Sequence, residues 1–575
     1  MHQSEMLSKR VKQVIQFLLI SLMLFYPWIV YFHLDRPAEW AKPYYGEQVL
    51  DYFVYNRELI LLGISMVIII LMLLDWAWGI PKPCAKKTKW LLGLLVAYGL
   101  LSFLSCFFSE YKSISWLGLY QEREGFYAII CYLILFWAAF KYFDQNDLSR
   151  IAIVIVILGL ILGLAGTLEH FCGSLLEHVW FVQLLTPTKY AELGGSFMSP
   201  FGARPYLGFG NPNILAAMCL ILLPPLLACG YYWNGWKKYV SWTSSFLLGF
   251  TCYATGSTGA IYILMVILII MIGFTHHKKK LIGQVGYIGM GFGLLICLSI
   301  FLRPNQLYSP LVNSHYTSSQ QVVHLDSIQL TSNTLDVKGE GVDLLITWNQ
   351  EKGFVIENTD LAYTRNGEVY LIPVNKTRSI QLTMGDQQLY LDLGYESPLR
   401  FTVQNDKVYY VGLYGYLYEN IPQPEVKGME NIYSILTGRG YTWIQSLPRL
   451  SKCLLLGQGI GSFPFEFKQN EVVGLLKTHG SANLMVEKAH NWYLQVALNT
   501  GIPSLMILFC LFGWPFWQLA RHYQQLPVLL IGISVSLLAY AAYGLINDSS
   551  VMVSPYFWIW LGLAYKLYVI RSSSV

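Results

Sequence analysis

The chain has 575 residues, of which 54% are hydrophobic, 15% aromatic and only 13% charged. Soluble domains carry about a quarter charged residues, so this composition excludes an ordinary soluble protein and indicates a polytopic membrane protein. The formal net charge of +5 does not indicate a nucleic-acid partner, because the basic residues fall in alternate loops rather than on one face.

Twelve apolar stretches have the length that a helix needs to cross the hydrocarbon core of a bilayer, about twenty residues. The seventh and eighth are short and lie close together. From the N-terminus, the predicted spans lie near 14–34, 59–78, 89–108, 125–143, 150–168, 212–232, 239–254, 257–274, 282–302, 490–514, 526–546 and 552–570.

Lysine and arginine residues are concentrated in loops that alternate along the chain. The positive-inside rule places such loops in the cytoplasm. Both termini are therefore expected in the cytoplasm, and the long loop 303–489 on the outer side, which agrees with twelve spans. The basic residues concerned are Lys9, Arg10, Lys12, Lys82, Lys86, Lys87, Lys89, Lys237, Lys238, Lys278, Lys279, Lys280, Arg521 and Arg571.

The predicted fold class is an all-α polytopic membrane protein with a small extracytoplasmic antiparallel β-domain between the ninth and tenth spans. Short alternating apolar and polar runs recur through 320–420, and Asn366-Gly367 between two of them is a hairpin signal. A sandwich is expected. Two roles are open for this domain: a structural lid or spacer, and glycan binding through the aromatic run 409–418.

The predicted organisation is a membrane domain, residues 1–302 with helices one to nine and residues 490–575 with helices ten to twelve, interrupted by the outer loop 303–489. Within the loop, 430–489 is expected to be partly an amphipathic helix, since "YSILTGRGYTWIQSLPRL" has near-helical apolar spacing. "LGQGIGSF" then supplies glycines for a tight turn. Its spacing does not fit a nucleotide-binding loop.

Four segments in this order resemble the O-antigen ligase family, which includes lipid-linked polysaccharide ligases and related polymerases. They are "RPYLGFGNPNILAA" at 204–217, "TGSTGAIYILMVILI" at 255–269, "GRGYTWIQSLPRLSKCLLLGQGIGSF" at 438–463 and "HNWYLQVALNTGIPS" at 490–504. The specific portion of the resemblance covers roughly 204–512. It implies a membrane glycosyltransferase that moves a glycan from a polyprenyl-pyrophosphate carrier to an acceptor outside the cytoplasm.

Three positions depart from the family pattern. Thr258 stands where many members carry an arginine, Asn499 where an acidic residue often follows the histidine, and Ser504 where a glycine is usual. If the missing arginine helps to hold phosphate in the family, another residue must do so in this chain.

Two arginines are candidates for binding the donor pyrophosphate, whose developing charge needs cations at the outer headgroup level. A guanidinium binds phosphate oxygens bidentately and stays protonated. Arg204 precedes a helix that begins near Asn211 and Asn213, which are expected to cap or orient that helix. Arg439 lies between two glycines. The structural alternatives are an interfacial anchor for Arg204 and a surface-loop arginine for Arg439.

His490 is the candidate catalytic base, because an imidazole near neutral pKa can accept a proton from an attacking hydroxyl. Asn491 and Gln495 follow in the same predicted helix, and polar residues in spans tend to face a cavity. The alternative is an interfacial helix-end histidine. Asp548 and Glu487 are two candidate partners without a supporting motif. No metal-ligand spacing is found, so a metal-independent reaction without a cofactor is expected.

The acceptor can be a glycan, a lipid or a protein, so a ligase, a repeat-unit polymerase and a protein glycosyltransferase all stay open. A transporter of lipid-linked saccharide is the alternative from another functional class. Transporters typically show structural repeats with broken helices in corresponding halves, which this sequence lacks. A third interpretation is a sensor whose β-domain binds wall glycan while the helices serve as an anchor.

Overall fold

A computed structural model describes residues 2–78, 86–192, 201–273, 278–302, 322–358, 362–375 and 378–572. Lys82 and the loop segment 303–321 lie outside the described residues. The described chain is mostly helical and carries a separate antiparallel β-domain.

Helices account for most of the described fold. Before the β-domain they are α1 (His2–Phe25), α2 (Lys42–Tyr45), α3 (Tyr55–Trp78), α4 (Lys86–Phe108), α5 (Lys112–Leu117), α6 (Phe126–Tyr142), α7 (Leu148–Cys172), α8 (Val179–Leu185), α9 (Pro212–Tyr232), α10 (Trp236–Ala254), α11 (Thr258–Gly273) and α12 (Lys278–Leu302). After it they are α13 (Ile435–Ser446), α14 (Phe463–Glu466), α15 (Val472–His479), α16 (Trp492–Thr500), α17 (Ile502–His522), α18 (Val528–Tyr543) and α19 (Ser554–Ser572).

A helix lies at each of the twelve apolar stretches. Seven helical segments of the described chain are long and apolar enough to cross a membrane, namely Glu5–Trp28, Tyr55–Trp78, Thr88–Phe108, Gln145–Cys172, Pro212–Tyr232, Lys280–Leu302 and Ile502–Gln525. Three more helices are apolar but shorter, α6, α11 and α18.

Two predicted spans have the wrong bounds. The first, placed at 14–34, is a helix from His2 to Phe25, and Pro27 lies in the 3-10 turn that ends it. The tenth, placed at 490–514, is two helices, α16 and α17, separated at Gly501, whose φ is +96°. Glycine is the residue that adopts this conformation without steric cost. His490 therefore precedes a nine-residue helix rather than a membrane span.

The β-domain has two antiparallel sheets in which consecutive strands are neighbours, as the alternating pattern predicted. The four-stranded sheet contains β3 (Leu325–Leu330), β4 (Thr334–Gly339), β5 (Val342–Asn349) and β6 (Gly353–Ile356). The seven-stranded sheet contains β7 (Thr364–Asn366), β8 (Val369–Pro373), β9 (Ser379–Met384), β10 (Gln388–Asp392), β11 (Leu399–Gln404), β12 (Lys407–Val411) and β13 (Leu417–Tyr418). A small pair, β1 (His33–Asp35) and β2 (Val49–Asp51), lies outside this domain.

Both sheets bury their inward side chains in one hydrophobic core, with Ile328 and Leu344 from one sheet and Leu382 and Phe401 from the other. The hairpin at Asn366 is confirmed with a shifted turn. Asn366 pairs with Val369, so the two turn residues are Gly367, at φ +64°, and Glu368. The glycine supplies the left-handed conformation that such a tight turn requires.

The amphipathic helix predicted over 433–450 is a regular α-helix only from Arg439 to Ser446. Leu436, Thr437 and Gly438 all have left-handed backbone angles, with φ of +53°, +60° and +92°. A run of three such residues cannot continue a right-handed helix. The regular helix therefore starts at Arg439, and a 3-10 segment, Leu447–Cys453, follows it.

Candidate functional site

The candidate site forms around residues 543–549, a segment that begins at the last residue of α18. The hydroxyl of Tyr543 donates a hydrogen bond to the backbone oxygen of Asn213 (3.1 Å) and lies 2.9 Å from the hydroxyl of Ser257. These contacts join the end of α18 to the first turn of α9 and to the residue before α11. Asn211 caps α9, since its side chain accepts a hydrogen bond from the backbone N–H of Asn213 (2.8 Å).

Arg204 and Arg439 approach Tyr543 from two sides. Arg204 Nε donates to the backbone oxygen of Thr255 (2.6 Å), and Arg439 Nη2 donates to Asn547 Oδ1 (3.1 Å). Both guanidinium groups interact electrostatically with the Tyr543 hydroxyl. Burial lowers the pKa of both arginines, yet arginine stays protonated in proteins. The site thus holds two cations with a shared neighbour.

Some N–H groups of each guanidinium are free for a ligand. Neither terminal nitrogen of Arg204 donates to another described residue, and the same holds for Nε and Nη1 of Arg439. Each arginine is therefore held by one hydrogen bond, and its remaining N–H groups can bind oxygen atoms of an anion.

His490 is paired with Asp548. His490 Nδ1 lies 3.1 Å from Asp548 Oδ2, and the histidine side chain is 46% exposed whereas the aspartate is 8% exposed. A carboxylate accepts, so it favours the imidazole tautomer with its proton on Nδ1 and leaves a lone pair on Nε2. This arrangement suits a general base that is oriented by a buried acid.

Asp548 is ionised in this environment. Burial opposes the charge, but the hydrogen bond and charge of His490, with the charges of Lys488 and Arg439, hold the pKa of Asp548 below its ordinary value. Its other oxygen, Oδ1, is buried and has no hydrogen-bond partner among the described residues. The carboxylate therefore has one oxygen on the histidine and the other unpaired.

The backbone at His490 is strained, with a left-handed φ of +50°. Such an angle is uncommon outside glycine and persists where surrounding contacts fix it. Gln495 fixes Ala489, the residue before His490. Its Oε1 accepts from the N–H of Ala489 (2.8 Å), and its Nε2 donates to Asn499 (3.0 Å).

Contacts on the other side of His490 fix it to the 543–549 segment. Asn491 caps α16 by accepting from the N–H of Leu494 (3.0 Å), and its Nδ2 donates to the backbone oxygen of Leu545 (2.9 Å). The N–H of Trp492 points to the backbone oxygens of Gly544 (2.7 Å) and Asn547 (3.0 Å). Asn491 and Gln495 thus support the position of His490 through backbone contacts.

A polar cavity of about 60 Å³ lies behind Asp548. Lys488 contacts the Glu122 carboxylate at 2.6 Å. Burial opposes the charge of Lys488, but Glu122, Asp548 and Glu124 together raise its pKa. The polar residues that line the cavity are Glu122, Glu124, Lys488, Gln495, Asn499, Thr500, Asp548 and Ser549.

An apolar cavity of about 510 Å³ lies between α9, α10, α11 and α12. Its lining extends along α11 from Thr258 to Ile272, a length of about 21 Å at 1.5 Å per residue. Thr258 directly follows Ser257, which contacts Tyr543. One end of the apolar cavity therefore lies one residue from the contact with Tyr543, the shared neighbour of the two arginines.

The structure brings Arg204, Arg439 and His490 to one segment, although neither cavity includes any of them in its lining. Glu487 interacts with His490 only electrostatically, so Asp548 is the hydrogen-bonded partner. Sequence reasoning missed Tyr543, Lys488 and Glu122. The polar stretch "INDSS" at 546–550, between two apolar ones, was a signal only for the segment that follows Tyr543.

Comparison of the chain with protein-family models, with curated proteins and with solved structures finds no match.

Proposed function

We propose that the protein is a metal-independent membrane glycosyltransferase that moves a glycan from a polyprenyl-pyrophosphate carrier to an acceptor on the outer side of the cytoplasmic membrane. One observation carries the proposal. Two partly buried arginines with free N–H groups converge on Tyr543, next to a histidine whose tautomer is set by Asp548. Cations and a base at one point are what glycosyl transfer from a pyrophosphate needs.

The reaction breaks one C–O bond and forms another, and it transfers one proton. His490 Nε2 accepts the proton of the acceptor hydroxyl while its oxygen bonds to the anomeric carbon of the donor sugar. The bond between that carbon and the pyrophosphate oxygen breaks, and the electron pair stays on the pyrophosphate. Arg204 and Arg439 stabilise this charge, and His490, which is largely exposed, then releases its proton to water.

The apolar cavity supports a lipid-linked donor. Several of its lining side chains, such as Tyr262, Met265 and Ile272, are largely exposed, so the groove opens sideways toward the surrounding lipid. A polyprenyl chain segment of about 20 Å would fit along α11, with its pyrophosphate at the Thr258 end near Arg204. Thr258 itself carries no charge, which assigns the phosphate to Arg204 and Arg439.

The proposal requires twelve crossings, cytoplasmic termini and an outer 303–489 loop. Single cysteines in a cysteine-free background test this orientation. Asn366→Cys in the exposed strand β7 should react with an impermeant maleimide in intact cells, and Gln524→Cys between α17 and α18 should react only after the membrane is opened. The reverse labelling would exclude the orientation and the proposed chemistry together.

The acceptor class stays open between a ligase, a repeat-unit polymerase and a protein glycosyltransferase. A lipid-linked saccharide transporter is distinguishable by where its substrate accumulates. In cells that lack the protein, a missing transferase leaves the lipid-linked saccharide in the outer leaflet, where impermeant periodate oxidises it. A missing transporter leaves it protected in the inner leaflet.

The catalytic role is tested by complementing such cells with His490→Ala. A general base contributes about 10²–10⁴-fold in rate, so the variant should reach normal membrane levels and still accumulate the saccharide. Near-full transfer by His490→Ala would assign the histidine to an interfacial helix end and remove the basis of the proposed mechanism.

A further inference from the structure

A second histidine, His479, lies close to the candidate site on an element that belongs to the β-domain. It is the last residue of α15, whose Val472, Val473 and Leu476 are buried in the β-domain core. Glu471 caps the helix by accepting from the N–H of Gly474 (3.0 Å) and also accepts from the Tyr441 hydroxyl (2.8 Å). The helix is thus fixed between the β-domain and α13.

The imidazole of His479 packs directly on Gly438, the residue before Arg439. A Cβ atom at position 438 would lie 2.7 Å from His479 Cε1 and 3.2 Å from its Nδ1, closer than atoms normally approach. Only glycine leaves room for the ring there, and its φ of +92° excludes most other residues independently. The backbone conformation at Gly438 therefore leaves room for the imidazole of His479 next to Arg439.

The hydrogen-bonding groups of His479 are unused. Its Nε2 is buried without a partner, and no hydrogen bond joins either ring nitrogen to another described residue. Leaving a buried polar atom without a hydrogen bond is unfavourable, so a ligand that pairs with it gains affinity. Burial and then the charge of His490 lower the pKa of His479. The ring is therefore neutral near pH 7 and keeps one N–H donor.

We propose that His479 is a further pyrophosphate-binding residue, which donates a hydrogen bond to a phosphoryl oxygen of the lipid-linked donor held by Arg439. The inference rests on the proposed function. A phosphoryl group fits better than a sugar hydroxyl, because the neighbouring Arg439 is a cation whose Nε and Nη1 donate to no described residue, so an anion is favoured at this position.

Binding of two lipids to the purified full chain in nanodiscs tests this role. The probes are undecaprenyl pyrophosphate and undecaprenyl monophosphate, in competition with the radiolabelled pyrophosphate. A hydrogen bond to a charged group is worth about tenfold or more in affinity. His479→Ala should therefore raise Kd for the pyrophosphate about tenfold and change Kd for the monophosphate by less than about threefold.

Conservative variants identify the donating nitrogen. The amide of Asn reaches the position of Nδ1 and that of Gln the position of Nε2, so one of His479→Asn and His479→Gln should restore most of the pyrophosphate affinity. Lys477→Ala, on the same helix, is the matched control and should leave both affinities unchanged, since its side chain points toward Asp326 of the β-domain.

Each outcome has a distinct meaning. If the wild-type chain binds no pyrophosphate lipid, the proposed donor and this inference both fail. If it binds and His479→Ala binds equally well, the inference alone fails. An equal loss for both lipids, or no rescue by either amide, would assign His479 a purely structural role and overturn the inference. Melting temperatures of all variants show which ones are folded.

Discussion

Because His490 and Asp548 are hydrogen-bonded, substitution of Asp548 by asparagine should change the tautomer of His490. Asp548→Asn keeps the shape of the side chain but places an amide where the carboxylate accepted from Nδ1. The amide can donate to Nδ1 instead, which stabilises the tautomer with its proton on Nε2. That tautomer cannot accept a proton from the acceptor hydroxyl, so the base is lost although His490 is present.

The expected magnitude follows from the exposure of the pair. In a serine protease triad the same exchange lowers kcat about 10⁴-fold, and a general base contributes about 10²–10⁴-fold. His490 is 46% exposed and can exchange its proton with water more readily than a buried imidazole. We therefore expect kcat to fall about 10²–10³-fold, or about 3–4 kcal/mol in activation free energy.

The assay measures release of polyprenyl pyrophosphate by the purified chain when donor and acceptor are supplied. Glu487→Gln is the matched control, because burial already raises the pKa of that carboxyl and it does not bond to His490; we expect less than about a threefold change. The double variant Asp548→Asn/His490→Ala should be no slower than His490→Ala alone, since Asp548 and His490 act as a unit. Additive losses, or equal losses from Asp548→Asn and Glu487→Gln, would refute the tautomer argument.

Three further predictions concern the arginines, the helix break and the polar cavity. Arg204→Lys and Arg439→Lys should each lower transfer about tenfold, because lysine lacks the bidentate fork, while Arg365→Lys on the β-domain surface has no effect in the same assay. Gly501→Ala should destabilise the protein by about 1–3 kcal/mol because of its φ of +96° and its contact with the Leu455 backbone, whereas Gly513→Ala in open space on α17 should not lower the melting temperature. Burial, opposed by Lys488, raises the pKa of Glu122 to about 7. The folded state then binds the extra proton, so the melting temperature should fall as pH rises from about 5 to 7, and Glu122→Gln should reduce that slope, because burial also raises the pKa of Glu471 and of Glu487.

The helices and strands were predictable because their signals are local. Span-length apolar stretches and period-two alternation located every long helix and the β-domain. The break at Gly501 was missed because the flanking residues are apolar enough to read as one span. Its signal was "TGIP", a glycine that ends one helix and a proline in the first turn of the next.

The site was predictable only in its residue types. Arg204, Arg439 and His490 were suggested by their residue types near predicted helix ends, since arginine can bind phosphate oxygens and histidine can accept a proton near neutral pH. Tyr543, the shared neighbour of the two arginines, could not be found this way, and the sequence could not favour Asp548 over Glu487 as the partner of His490. Asp548 lies 58 positions beyond His490, and α17 and α18 must pack before the two meet. The left-handed run 436–438 was equally hidden, because Leu436 and Thr437 have no intrinsic preference for it.

The position of the β-domain in the chain explains how it is connected to the site. The segment 435–490 returns from the β-domain to the membrane domain and carries Arg439, His479 and His490. Within it, α15 buries Val472, Val473 and Leu476 in the β-domain core, so removal of the sheets would expose an apolar helix face. The core of the β-domain therefore fixes the helix that ends at His479, and through His479 it contacts Gly438, the residue before Arg439.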